Sequence, residues 1–243
     1  MSVLRALIFD VDGTLAETER HGHRVAFNTA FEEAGLDWRW DEGLYGDLLK
    51  VAGGPERIAH YARAHRRSRQ SDAQLQALVA RLHASKTRHY VALVAAGAVQ
   101  LRPGVARLIA EARVQGILLA IATTTTRANV TALLEATLGR EALAWFAAIG
   151  TAQEVSAKKP DPAVYRWVLE RLAIKPQEAL ALEDSRIGLL AAHRAGIRCV
   201  VTPTPYSADE DFSEAAMRLA DLDHQLDYPS RVVTLEDLRH WHS

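Results

Sequence analysis

Short, continuously apolar runs recur along the chain, each separated from the next by stretches of helical periodicity. Val3-Leu4-Arg5-Ala6-Leu7-Ile8-Phe9 runs straight into Asp10, and Ile117-Leu118-Leu119-Ala120-Ile121-Ala122 ends in four threonines. Ala179-Leu180-Ala181-Leu182 ends in Glu183-Asp184, and a fourth run covers Ile197 to Val201. Runs without a polar alternation predict strands buried on both faces, and so a parallel sheet sandwiched between helices. Ligands of such sheets bind beyond the carboxyl ends of the strands, where three of the four runs place acids or hydroxyls. From about residue 17 to residue 94 no strand-like run occurs. Helical spacings replace it, as in Ile58, Tyr61, Ala62 and in Leu75, Leu78, Val79, Leu82, with Asp37–Asp41 and Ala52–Pro55 reading as loops. The pattern predicts an α/β core made of residues 1–16 and 95–243, interrupted by an all-helical insert over 17–94. The insert begins just after Asp10 and Asp12 and is placed to cover them, and Arg102-Pro103-Gly104 marks the return to the core. No internal repeat is present, and the tail after Asp211 carries no readable pattern.

Composition narrows the function classes. The 243 residues carry 29 basic and 30 acidic side chains, a formal net charge of −1, which argues against a general binder of nucleic acid or anionic membrane. The basic stretch from Arg57 to Arg69, including His60, Arg63, His65, Arg66 and Arg67, has only Tyr61 to stack on a base and reads as a solvated helix face. A hydrophobic content of 49% with 24% charged residues is that of a globular chain. The single cysteine, Cys199, can form no internal disulfide or Cys-rich zinc site and reads as a buried strand residue. No apolar run approaches the ~18 residues of a membrane span, and Asp10 comes too early for a secretory signal. The expectation is a cytoplasmic protein, in which Asn129-Val130-Thr131 never meets a glycosyltransferase.

The candidate chemistry lies at the predicted strand ends. Asp10-Val11-Asp12-Gly13-Thr14 sets two carboxylates two residues apart beside a glycine that lets the chain turn. Such a pair can serve as nucleophile and general acid or can hold a divalent cation. It is not a calcium loop, because Leu15 and His21 stand where that loop needs Gly and Glu. Thr123, Thr124 and Thr125 offer hydroxyls and helix-start N–H groups to a phosphate, or a plain helix cap. Lys158-Lys159-Pro160 brings a cation that can neutralise a carboxylate or phosphate, or simply a solvated pair. Glu183-Asp184-Ser185 supplies oxygen ligands suited to a hard cation such as magnesium, or an acidic cap for the helix over Gly188 to His193. His21-Gly22-His23 offers two candidate site histidines.

The ordered set Asp10-x-Asp12-Gly13-Thr14, Thr123, Lys159-Pro160 and Glu183-Asp184 resembles the haloacid dehalogenase superfamily. Phe9–Glu19, Gly53-Gly54-Pro55-Glu56-Arg57-Ile58, Leu101-Arg102-Pro103-Gly104 and Leu182–Ser185 followed by Gly188 resemble, within it, the CbbY-like phosphatases and the related β-phosphoglucomutases. The resemblance implies a Rossmann-like parallel sheet core with an inserted helical C1 cap. It also implies Asp10 as the nucleophile that becomes an aspartyl phosphate, Asp12 as general acid and base, and Thr123 and Lys159 on the phosphate. Mg2+ would be held by Asp10, the Asp12 carbonyl, Glu183 and Asp184. In the cap it implies substrate contacts from Glu17, Gly54, Arg57 and Lys86, with Arg57 free to grip a distal phosphate by two hydrogen bonds; for Arg57 and Lys86 the alternative is a solvated surface charge. The function it implies is a magnesium-dependent sugar-phosphate phosphatase, expected as a monomer, that converts xylulose-1,5-bisphosphate to xylulose 5-phosphate. The alternatives are a β-phosphoglucomutase or a phosphatase of another small ester such as phosphoglycolate.

Overall fold

The computed structural model describes residues 3–65, 71–224 and 232–242. Six strands form one parallel sheet in the order β3-β2-β1-β4-β5-β6: β1 Ala6–Phe9, β2 Leu118–Ala122, β3 Phe146–Gly150, β4 Ala179–Glu183, β5 Arg198–Val201 and β6 Met217–Arg218. All four predicted strands are present. β3 is an additional strand between the second and third predicted ones, and β6 with the helix Leu235–His242 gives structure to the tail after Asp211, whose pattern is unreadable.

Alternation along the strands assigns a different kind of residue to each face. Leu7, Phe9, Leu119, Ile121, Leu180, Leu182 and Val200 belong to one apolar cluster, completed by α5 (Val105–Val114), α6 (Arg127–Leu138) and α9 (Leu235–His242). Ala6, Ile8, Ala120, Ala122, Ala179, Ala181 and Cys199 face the other way, against α7 (Ala163–Leu172) and α8 (Arg186–Arg194). That second face is mostly alanine, so Tyr165, Val168 and Leu189 pack close to the sheet. Cys199 is buried there, as expected. Burial on both faces explains why the strands read as unbroken apolar runs.

Between β1 and α5 the chain forms the helical insert: a π-helical turn over Glu19–His23, then α1 (Arg24–Glu33), α2 (Glu42–Leu49), α3 (Gly54–Ala64) and α4 (Asp72–Ala95). It has its own core of Phe27, Phe31, Trp40, Tyr45, Ile58, Leu75, Val79 and Leu82. Trp40 is the hub, with ring centroids 4.7 Å from Phe27 and 4.8 Å from Phe31. Ser71 starts α4 with a reciprocal capping box to Gln74. Among the described residues no helix is long and apolar enough to cross a membrane. His60, Arg63 and His65 of the basic stretch are exposed, while Arg66, Arg67 and Arg69 lie outside the described residues.

Candidate active site

β1 lies between β2 and β4 with Phe9 level with Ile121 and Leu182, so the first residues past these strands meet at one edge. The Asp10 amide donates to Leu182 O (3.0 Å) and the Thr123 amide to Gly150 O (3.0 Å). Lys159, in the segment between β3 and α7, reaches under both neighbours. Its Nζ donates to Asp10 Oδ1 and to Glu183 Oε1, each at 2.6 Å, and Tyr165 Oη donates to the same Glu183 oxygen at 2.5 Å. All of these groups are buried.

Two glycines make room for the acids. Gly13 has φ +88° and a Cβ built on it would overlap the Asp184 carboxylate, while a Cβ on Gly188 would overlap that of Glu183. One oxygen from each of Asp10, Glu183 and Asp184 lies within 4.8 Å of the others. Lys159 pairs with two of these buried carboxyl groups, Asp10 and Glu183, while the charge that opposes the third, Asp184, is that of Arg102. Burial, opposed by Lys159 but reinforced by Glu183 and Asp12, pushes Asp10 up to about 8. Burial together with Asp10 and Glu183 pushes Asp184 well above the carboxylate range. Burial opposes the charge on Lys159, yet Asp10 and Glu183 hold it firmly protonated. A buried all-oxygen cluster with more negative than positive charge fits a hard divalent cation.

The second aspartate has different surroundings. Asp12 Oδ1 accepts from Thr18 Oγ1 (2.6 Å) and from His23 Nε2 (2.9 Å), and Lys86 Nζ donates to His23 Nδ1 at 2.8 Å. Although burial raises the Asp12 carboxyl, His23, Thr18 and Lys86 outweigh it and hold it below its usual range. Lys86 is itself brought down to about 8, chiefly by burial. Of the two candidate histidines, therefore, His23 faces the site and His21 is exposed. Sequence spacing could not separate them, because the π-helical turn shifts the helical register between residues 19 and 23.

A cavity of about 330 Å3 joins the two halves. The predicted Asp10, Asp12, Gly54, Arg57, Lys86, Thr123, Thr124, Thr125, Lys159, Glu183 and Asp184 all line it. Glu17 does not: it is half-buried beside Arg102, and Glu19, two residues further on at the start of the π-helical turn, lines the wall in its place. Arg57 is not a free fork. Its Nε donates to Leu48 O (3.0 Å), one terminal nitrogen to Tyr45 Oη (3.0 Å) and the other to Val51 O (3.4 Å), while Tyr45 Oη donates to Glu19 Oε2. Gly54 is the first residue of α3 rather than a loop residue. Thr126, not Thr123, caps α6, and Ser185 rather than an acid caps α8. That leaves Thr123 to accept from the Thr125 amide. Sequence reading gave no site role to Asn129, which lines the cavity and donates to Thr125 Oγ1 (2.9 Å). The signal was present as Thr126-x-x-Asn129, a helix cap at a strand end.

Comparison with known proteins agrees with this geometry. The family model described as haloacid dehalogenase-like hydrolase matches residues 4–196. The chain is 50% identical over 247 residues to protein CbbY (plasmid) of Cupriavidus necator, covering 98% of this chain and 97% of that one. It is 51% identical over 219 residues to protein CbbY of Rhodobacter capsulatus, covering 90% and 94%. Two crystal structures of CbbY from Rhodobacter sphaeroides, one in complex with phosphate and one of a mutant in complex with xylulose-(1,5)bisphosphate, superpose with a TM-score of 0.83. Both share 46% identity with this chain, over 90% of it and 95% of theirs. The chain belongs to the haloacid dehalogenase-like hydrolase family and is a phosphatase within it.

Proposed function

We propose that the protein is a magnesium-dependent sugar-phosphate phosphatase working through an aspartyl phosphate on Asp10. Its substrate is xylulose-1,5-bisphosphate, which loses the C1 phosphate to give xylulose 5-phosphate. The observation that carries this reading is the two-walled cavity, with Asp10, Lys159, Glu183 and Asp184 on the core side and Glu19, Arg57 and Lys86 on the insert side. The first set suits phosphoryl transfer, and the second suits the remaining charge and hydroxyls of a sugar phosphate. The similarity to CbbY supports the choice of sugar. Asp10, Glu183, Asp184 and the Asp12 carbonyl would hold Mg2+, which would neutralise charge shared by the nucleophile and the phosphate. Residues 17–94 act as the cap, and since both walls come from one chain the enzyme works as a monomer.

Asp10 Oδ attacks phosphorus as the bond to the sugar oxygen breaks, and that oxygen takes a proton from Asp12. Lys159 and Thr123, with the following amides, bind the phosphoryl oxygens. The partners of Asp12 favour its ionised form, and His23, hydrogen-bonded to it, is placed to deliver its proton. The hydrogen-bond network calls for the tautomer in which Nε2–H donates to Asp12 and Nδ1 accepts from Lys86. A proton passed from Nε2 to Asp12 is replaced at Nδ1 from the Lys86 ammonium. Water then attacks phosphorus as its bond to Asp10 Oδ breaks, Asp12 takes the proton of the water and returns it through His23 to Lys86, and inorganic phosphate leaves.

Phosphorus NMR with Mg2+ tests the assignment. Inorganic phosphate growing from xylulose-1,5-bisphosphate, with β-glucose 1-phosphate left untouched in the presence of glucose 1,6-bisphosphate, is the expected result. Conversion of glucose 1-phosphate to glucose 6-phosphate without phosphate release would make the enzyme a mutase. Preferential hydrolysis of phosphoglycolate would overturn the choice of sugar.

A further inference from the structure

The three acids of the cluster are not held alike. Asp10 and Glu183 are fixed by Lys159 and Tyr165, but no hydrogen bond to the Asp184 carboxyl occurs among the described residues. What sets its place lies on either side of it. Its carboxyl presses on the bare face of Gly13, where a Cβ would lie 2.3 Å from Asp184 Oδ2 and 3.1 Å from Thr204 Cγ2. Its carbonyl accepts from Ser207 Oγ (2.6 Å), which in turn accepts from the Thr204 amide (3.0 Å). Arg102 ties these two segments together. It stands where the chain returns from the insert, beside the bridge between Ala16 and Leu101, and its amide donates to Leu15 O (2.9 Å). From there Nη1 donates to Gly13 O, Thr202 O and Thr202 Oγ1, the last at 3.1 Å, while Nη2 donates to Pro203 O (3.1 Å) and Ala220 O (3.3 Å). The Gly13 amide donates to Ala16 O (2.9 Å), so the turn is gripped at both of its polar ends.

We propose that Arg102 is a positioning residue of the metal site, a clamp that fixes the Gly13 turn against the loop over residues 202–207 and so holds Asp184 in place to bind a divalent cation. This rests on the proposed magnesium site. A planar guanidinium suits the task, because its fork of N–H donors reaches four carbonyls from three chain segments at once; a lysine ammonium has three donors on a flexible stem. The turn it steadies also carries the Asp12 carbonyl, and since the peptide is planar, fixing the Gly13 amide fixes the direction of that carbonyl too. The charge of Arg102 works the other way. It faces Asp184, Glu17 and Asp221, and a cation beside the acid cluster repels Mg2+. An arginine present for its charge alone would weaken the metal site, whereas one that orients an otherwise unsupported ligand strengthens it. The two roles therefore predict opposite signs when the side chain is removed.

Binding of Mn2+, read without turnover from the loss of the electron paramagnetic resonance signal of the free ion, tests the clamp. Arg102→Ala is expected to raise the Kd for Mn2+ roughly 10- to 100-fold, the range for an outer residue that orients metal ligands. Added guanidinium ion, at a concentration that does not denature the protein, should lower it again. Arg102→Lys, which keeps the charge and loses the fork, should also bind Mn2+ more weakly than wild type, and it carries the test if circular dichroism shows Arg102→Ala unfolded. Arg107→Met is the control: it removes a guanidinium that donates to Leu222 O and Asp223 in the same C-terminal segment, and it should leave the Kd unchanged. Mn2+ bound as tightly as by wild type, or more tightly, in the Arg102 variants would overturn the inference while leaving the proposed function in place. An equal loss in Arg107→Met would do the same, since it would reduce Arg102 to general support of the fold. Wild-type protein that binds no Mn2+ would overturn both.

Discussion

Gly188→Ala separates helix propensity from the needs of the acid cluster. Inside a helix, Ala is favoured over Gly by up to ~1 kcal/mol, so propensity alone predicts a more stable protein. The added methyl, however, would occupy the space of the Glu183 carboxylate. To admit it, Glu183 must leave both Lys159 Nζ (2.6 Å) and Tyr165 Oη (2.5 Å). Hydrogen bonds to charged groups are worth ~1.5–3 kcal/mol each, so losing two costs ~3–6 kcal/mol. After the helix gain of ~1 kcal/mol, a net destabilisation of ~2–5 kcal/mol remains. Urea unfolding followed by circular dichroism measures it. Gly43→Ala in α2 is the control, because its Cβ would meet only Asp41 Oδ1, at 3.6 Å; it should be neutral or slightly stabilising. A Gly188→Ala protein as stable as wild type would refute the view that this glycine exists to house the Glu183 carboxylate.

Other outcomes follow from the same geometry. Asp10→Asn should lower kcat by at least roughly 10^4, as loss of a nucleophile does, with phosphate release as the readout. His23→Ala should lower kcat by roughly 10^2 to 10^4, the range of general acid–base assistance, whereas His21→Ala should stay within about twofold of wild type, since His21 is exposed. The ammonium of Lys86, brought down to about 8 by burial, is harder to protonate in the folded chain than in the unfolded one. Folding is therefore penalised below about pH 8 and relieved as the pH rises toward 10.5. Denaturant titrations from pH 8 to 10 should show wild type gaining about 2 kcal/mol relative to Lys86→Met; a constant difference would contradict the burial of a charged lysine. Chelation with EDTA should abolish phosphate release and Mg2+ should restore it.

Much of this site was legible because the strands are buried on both faces and stop where polar chemistry begins. Asp10, Thr123 and Glu183-Asp184 mark the ends of three runs whose apolar character is unmistakable. Lys159 ends no apolar run; its sequence signal is a lysine pair before a proline, equally readable as solvated, and only the fold shows it joining Asp10 to Glu183. β3 escaped notice because Phe146-Ala147-Ala148-Ile149-Gly150 is an edge strand with an exposed alanine and two small residues. β6 has two residues and no pattern to read. The insert was less legible than the core. The π-helical turn over Glu19–His23 brings Glu19 and His23 to the cavity, whereas the resemblance implied Glu17. Arg57 was expected to bind a distal phosphate with two donors or to be a solvated charge, but each of its nitrogens already donates to Leu48, Tyr45 or Val51, contacts that no local pattern announces.

Reductive trapping during turnover tests the proposed aspartyl phosphate most directly. Enzyme quenched while hydrolysing xylulose-1,5-bisphosphate with Mg2+ is treated with labelled borohydride, which reduces an acyl phosphate but not a free carboxylate, and the peptides are sequenced by mass spectrometry. Label at Asp10 alone, absent when substrate or Mg2+ is withheld, is the predicted result. Steady phosphate release with no label at Asp10 would mean that water attacks the substrate directly, contradicting the role given to this residue.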